Sequence, residues 1–312
     1  MLAADPPDHT RLRRLVTKVF TPGAVAPLRP RIERIADELL DAMAGRDEVD
    51  LLREYAYPLP IRVICELLGI PYRDRDEFIA WSHTMVSLTT PDEIGAASMR
   101  MAEYLGRLVE LKRAEPAGDL LSELVRVSDG GAGFTRAELI STVLVLLTGG
   151  FETTVNLIGG GMRALLTHPD QLALLRADRT LLPRAIEELL RYETPNNLSS
   201  PRYTTEPVEL GGVTIPAGEF VMVSWLAANR DGSRFPDPGR LDITRPAGGH
   251  LAFGHGVHYC VGAPLARLEG EIAFGRLLDR FAHIEPADGG EPPRWRNSTA
   301  MHGLESLVLR VR

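Results

Sequence analysis

Residues 134–167, FTRAELISTVLVLLTGGFETTVNLIGGGMRALLT, constrain the fold more than any other stretch. Thr135 and Glu138 make a capping box ahead of a long apolar pattern, and His168 with Pro169 ends it. At 1.5 Å per residue such a helix is roughly 50 Å long, enough to cross a whole domain, so the remaining elements must pack around it. Its most apolar part, residues 139–147, is too short to cross a bilayer, and a core helix of a soluble protein is expected. The middle is unusual. Gly149 and Gly150 each cost about 1 kcal/mol relative to Ala inside a helix, and the charged Glu152 follows directly. Glycines can serve close packing, and an acid can cap a neighbour. Glycines beside an acid and the hydroxyl of Thr153 point instead to an opened turn whose freed carbonyls hold water.

A second constraint is residues 253–262, FGHGVHYCVG, which read F-G-x-G-x-H-x-C-x-G. A helical pattern begins at Ala263, so Cys260 lies at a helix N-terminus, where unpaired N–H groups and the helix dipole lower a thiol pKa. Gly256 and Gly262 lack Cβ and let backbone amides approach the sulfur. Phe253 can cover the open side of a metal-bound sulfur and exclude water. Those are the needs of a thiolate metal ligand, whereas most cysteines are small core residues.

This decapeptide resembles the cysteine loop of the cytochrome P450 superfamily, the haem-thiolate monooxygenases. The resemblance implies a mainly α fold with small β-sheets, the cytochrome P450 fold lacking its N-terminal region, in one domain over residues 1–312. It makes Cys260 the axial ligand of haem b (iron protoporphyrin IX), with Phe253, Gly254 and Gly262 framing it. The opening segment DPPDHTRLRR is similar to the family's C helix, where His9 and Arg13 bond the haem propionates. Arg202, in SPRY, and His258, two residues before the cysteine, are further propionate partners. GGFET is similar to the family's distal motif: Gly149 and Gly150 form a groove for dioxygen, and Glu152 and Thr153 are the acid–alcohol pair that delivers protons. Full-length members carry early helices, two strands and a substrate-capping loop before the C helix. Here Met1 stands almost at that helix, so either the chain is a fragment or a mis-started gene model, or its pocket is unusually open; a strand that lost its sheet partners would present unpaired backbone groups.

Other segments are read as architecture. Residues 27–44, 53–68, 72–88, 92–114, 181–192 and 263–281 have helical patterns. The convincing β region is SSPRYTTEPVELGGVTIPAGEFVMVSW, a final strand covers residues 305–311, and residues 282–297 are rich in Pro and Gly. Cys65, Met85, Met99 and Met101 are assigned to core packing. Glu188 and Arg191, one turn apart, form a buried structural network in this family, with Arg240 of PDPGRL as the expected third member.

Net charge is −7 at pH 7, which excludes nucleic acid as an expected partner. Two distant cysteines provide no disulfide framework and are too few for an iron–sulfur cluster; they fit a reducing cytoplasm and no membrane association. Electrons are therefore expected from a separate ferredoxin or flavodoxin with an NAD(P)H-dependent reductase, docking over Cys260 near Arg267, Arg276 or Arg280. The implied function is hydroxylation or epoxidation of a small to medium apolar molecule, by a monomer, using dioxygen and two electrons. The alternatives are a peroxide-using peroxygenase, against which the Glu152–Thr153 pair argues, and an inactive haem-binding fragment. Residues 196–200 are expected to line the substrate pocket.

Overall fold

A computed structural model describes residues 1–287 and 293–312. Its main helices are α1 (Asp8–Thr17), α2 (Arg29–Met43), α3 (Pro58–Leu68), α4 (Arg75–Val86), α5 (Pro91–Ala114), α6 (Leu120–Val127), α7 (Arg136–Thr167), α8 (Pro169–Ala177), α9 (Leu182–Tyr192) and α10 (Ala263–Arg280). The long helix α7 opens on the expected capping box: Thr135 accepts from the Glu138 amide, and the Glu138 carboxylate accepts from the Thr135 amide. It runs unbroken through Gly149 and Gly150, so the expected opened turn is not found. The Thr153 hydroxyl donates to the Gly149 carbonyl at 3.1 Å.

Glycines let α7 sit deep in the molecule. A Cβ at Gly161 would lie 2.7 Å from the Phe274 ring of α10, and one at Gly159 would lie 2.5 Å from Leu52. A Cβ at Gly150 would approach Ile64 of α3 to 2.9 Å. By length and composition α7 would pass as a membrane span, yet 67% of its apolar window is buried inside the molecule. It is the core helix, and the core around it runs continuously from Leu12 to Val311.

The amphipathic spacing of α2 puts Ile32, Ile35, Leu39 and Met43 into that core. On α5, Met101 is fully buried as expected, but Met99 is 63% exposed, so it is not core. Cys65 is buried, and burial pushes its thiol up to about 12, in keeping with a packing role.

Strands are short. β1 (Glu48–Asp50), β7 (Val308–Val311) and β6 (Ile284–Pro286) form an antiparallel sheet with β7 in the middle. Neither β1 nor β6 was expected from the sequence. β3 (Val208–Leu210) and β4 (Val213–Ile215) form a hairpin across Gly211 and Gly212, and β2 (Arg202–Tyr203) pairs with β5 (Phe220–Val221). Tyr203 and Phe220 stay 65% and 76% exposed. Of the Pro- and Gly-rich segment expected over 282–297, residues 288–292 lie outside the described residues.

The buried network is a correction. Arg191 makes a two-pronged pair with Glu188 at 2.7 and 2.8 Å, both side chains being fully buried. The second guanidinium on Glu188 is that of Arg245, at 3.1 Å, not that of Arg240. Arg240 offers only its carbonyl, which accepts from Arg191 and Arg245, and its side chain is exposed.

Candidate active site

The loop before α10 is closed by one backbone bond, from the Cys260 amide to the Phe253 carbonyl at 2.8 Å. Gly254 and Gly256 hold φ at +71° and +72°, the left-handed region that side chains resist. Gly262 differs: its φ is −82°, and a Cβ there would stand 3.8 Å from the Cys260 sulfur, an ordinary contact. The amides of Gly262 and Ala263 point at that sulfur. Phe253 is buried, with its ring beneath the Arg267 guanidinium at 4.5 Å.

Cys260 is exposed by surface area, yet burial dominates its electrostatics. The sulfur reaches solvent on one side while protein atoms crowd around the rest. Burial raises the thiol pKa, against the two amides and the charges of Arg13 and Arg267. At this sulfur desolvation outweighs the pull of the helix N-terminus that the sequence suggests.

Four sequence-predicted residues converge on this loop. The His9 and His258 rings stand 4.2 Å apart, and the Arg13 guanidinium donates to the Tyr259 carbonyl. Arg202 lies near enough for its charge to depress His258. His9 is buried, and its Nε2 has no partner among the described residues. Burial lowers the pKa of both histidines, and the neighbouring cations lower it further. No described carboxylate forms an ion pair with Arg13 or Arg202. Such a cluster calls for an anion. A planar dicarboxylate macrocycle with its metal on the sulfur fits it, since the carboxylates would meet the cations at the rim.

On α7 the two motif glycines part company. Gly150 is needed for packing against Ile64, whereas a Cβ at Gly149 would meet nothing within 4 Å. Around the motif, residues 144, 145, 148, 149, 150 and 153 of α7 are at least partly exposed. Of these, 145, 148, 149 and 153 share one helical face by their spacing. Thr153 lies on it and Glu152 does not. Glu152 is fully buried, bonded to Arg296 at 2.7 Å through Oε2 and 3.2 Å from His83 Nε2 through Oε1. Burial raises its pKa, while the charge and hydrogen bond of Arg296 oppose the rise.

Residues 196–200 are held between two segments: Asn196 bridges Met301 and Leu198 bridges Ser224. The three expected docking arginines are all paired within the chain. Arg267 grips Glu187 at 2.6 and 2.9 Å, Arg276 pairs with Glu33 and Asp37, and Arg280 pairs with Asp41. A cavity of about 750 Å³ lies elsewhere, lined by Val19, Ile35, Val63, Leu67 and Asp119 among others, and touches none of the residues above.

Sequence reasoning missed Arg296, His83, Arg245 and Glu269. Arg296 follows a segment without periodicity, and nothing local marks it. Glu269 did leave a signal: it falls four residues after Leu265 on the apolar stripe of α10. It is buried, and no donor among the described residues meets either carboxylate oxygen at hydrogen-bond geometry, although the Thr154 hydroxyl lies close by.

A cytochrome P450 family model matches residues 92–306. Cytochrome P450 107B1 of Saccharopolyspora erythraea is 54% identical over 310 residues, 99% of this chain and 76% of that protein. The chain belongs to the cytochrome P450 family. The same organism's 6-deoxyerythronolide B hydroxylase is 46% identical to this P450 over 100% of the chain and 78% of its own length. The solved structure of the tirandamycin C-bound P450 monooxygenase TamI superposes with a TM-score of 0.94 at 51% identity, covering 99% of this chain and 76% of that one. This P450 is a monooxygenase, and its family uses haem with a cysteine thiolate and electrons from redox partners. Nothing among these relatives supports the peroxide-using alternative.

Proposed function

We propose that this P450 holds haem b with Cys260 as axial thiolate, with His9, Arg13, Arg202 and His258 on the propionates. The observation that carries the reading is the set of cations without carboxylate partners beside an open sulfur. When bound, haem supplies dioxygen activation and one-electron chemistry. The chain's own residues do the rest. Gly254 and Gly256 give the loop its turns, Phe253 anchors it, and the Gly262 and Ala263 amides stabilise charge on sulfur. Gly149 keeps the open face of α7 clear, and Gly150 seats the helix against Ile64 of α3. Thr153 holds a hydroxyl on the face, and Glu152 behind it takes protons from the solvent side.

The substrate in this reading is a medium or large apolar secondary metabolite. Support comes from relatives named for hydroxylating 6-deoxyerythronolide B and for binding tirandamycin C. The whole chain acts as one domain in the cytoplasm. Electrons come from a ferredoxin or flavodoxin with its NAD(P)H-dependent reductase. Arg14 on α1 and Lys18 just past its end, both exposed, replace the paired arginines as the docking cations.

Optical spectra of the haem-loaded protein test the site. The reduced carbonyl complex should give the red-shifted Soret band of thiolate ligation, and Cys260→Ser should abolish it while haem still binds. A serine variant with the unchanged band would overturn the assignment of Cys260.

A further inference from the structure

Glu152 sits where three elements meet, and each presents a polar group. The segment after residue 293 brings Arg296, whose Nη1 lies 2.7 Å from Oε2. Helix α4 brings His83, whose Nε2 lies 3.2 Å from Oε1. The turn before α3 brings Tyr57, whose ring packs 5.2 Å from the His83 ring and whose hydroxyl accepts from Arg296 at 3.5 Å. His83 and Glu152 meet the distance of a hydrogen bond but not its angle, and neither atom has another partner among the described residues. The His83 side chain is 35% exposed, whereas Glu152 has no exposed surface. His83 is thus the group through which this buried acid can meet water.

We propose that His83 is the solvent-side proton relay for Glu152, and that Arg296 resets the acid after each transfer. This rests on reading Glu152 as the proton-delivering acid. A proton from solvent charges His83. The Nε2–H bond then breaks and an O–H bond forms at Oε1, leaving a neutral imidazole and a neutral carboxylic acid. No electrons move. Burial, with the Arg296 charge, pulls His83 down to about 4. Burial also lifts Glu152 above the ordinary 4.5. The two acidities are drawn together in the direction that lets the proton pass from imidazolium to carboxylate without a climb. Protonated Glu152 leaves Arg296 buried without a counter-charge, a costly state, so the acid is driven to release its proton. His83 and Arg296 are also mechanically joined. The Leu88 amide, just past α4, donates to the Asn297 carbonyl at 3.1 Å, and the Ser298 hydroxyl donates to the Val86 carbonyl.

His83 acts through Glu152, so it is a positioning residue, and its test needs a signal beyond turnover. Rapid mixing of the haem-loaded protein into D₂O, followed by infrared spectroscopy, reads exchange of the carboxylic proton, with the band assigned by its loss in Glu152→Gln. His83→Gln should slow that exchange about tenfold or more, within the range ascribed to acid–base groups. Arg296→Lys should shift the band's titration midpoint and leave the exchange rate unchanged. Oxygen uptake with a plant-type ferredoxin and its reductase should gain a solvent isotope effect in His83→Gln. Unaltered oxygen uptake in Glu152→Gln would sink the acid assignment itself. A slow Glu152→Gln beside a His83→Gln with wild-type exchange would sink the relay alone. If His83→Gln fails to fold, His83→Asn decides by the same two readouts.

Discussion

The two adjacent glycines of α7 show how a motif divides into separate physical demands. Gly150 has Ile64 against it, while Gly149 faces open space. An added methyl at 150 must displace a buried Ile side chain, which costs typically about 1–3 kcal/mol, against a helix-propensity gain of about 1 kcal/mol. At 149 the same methyl meets no protein atom and only the propensity gain remains. Thermal unfolding of the metal-free chain should therefore move in opposite directions: Gly150→Ala down and Gly149→Ala up. In the haem-loaded enzyme Gly149→Ala puts a methyl into the open face, so product formed per NADPH should fall although stability has risen. Equal shifts in Tm would mean that the two positions share one environment. The motif was readable in the sequence, but this division was not, because the pattern carries no information about what lies across from each residue.

At the scale of elements, legibility followed the source of the stabilising contacts. The helices announced themselves because their apolar stripes and caps are local: Ile32, Ile35, Leu39 and Met43 in α2, or Thr135 with Glu138 at the start of α7. β1 and β6 did not, since each is short and exists only as a partner of β7, far away in sequence. The cysteine loop was legible because its glycines must turn at fixed offsets. Arg296 on Glu152 and Arg245 on Glu188 were not, because an ion pair across the chain leaves no periodicity. The Glu188 network makes a sharp contrast between two nearby arginines. Arg245→Met leaves Glu188 its two-pronged pair with Arg191 but strips one charge-assisted hydrogen bond from that buried carboxylate, so it should lower the urea-unfolding free energy by about 1.5–3 kcal/mol. Arg240→Met, which leaves its carbonyl in place, should lower it by less than about 0.5 kcal/mol. A larger loss at 240 would return the third place to Arg240.

For the whole molecule, two acids bend stability in opposite directions along the pH axis. Glu187 is partly buried, which alone would raise its pKa, but hydrogen bonds from His250 and Arg267 outweigh desolvation and hold it at about 2, below its ordinary 4.5. Its contribution is present above pH 4.5 and is lost as the pH falls toward 2. Glu269 is the reverse case: burial keeps its carboxyl protonated well above the same 4.5. Below that pH the folded and unfolded chains both carry the proton, and the contribution is complete. Above it the unfolded chain releases the proton while the folded chain keeps it, so each further pH unit costs up to about 1.4 kcal/mol until the folded group also ionises. Glu269→Gln removes the titrating group and keeps its size, so the variant should follow the wild type below pH 4.5 and gain on it steadily above. Urea unfolding across a pH series gives the two curves. Parallel curves would mean that the Glu269 carboxylate has a partner that stabilises its charge, and the stability of this P450 on the alkaline side would then have to be sought in groups other than this acid behind the cysteine loop.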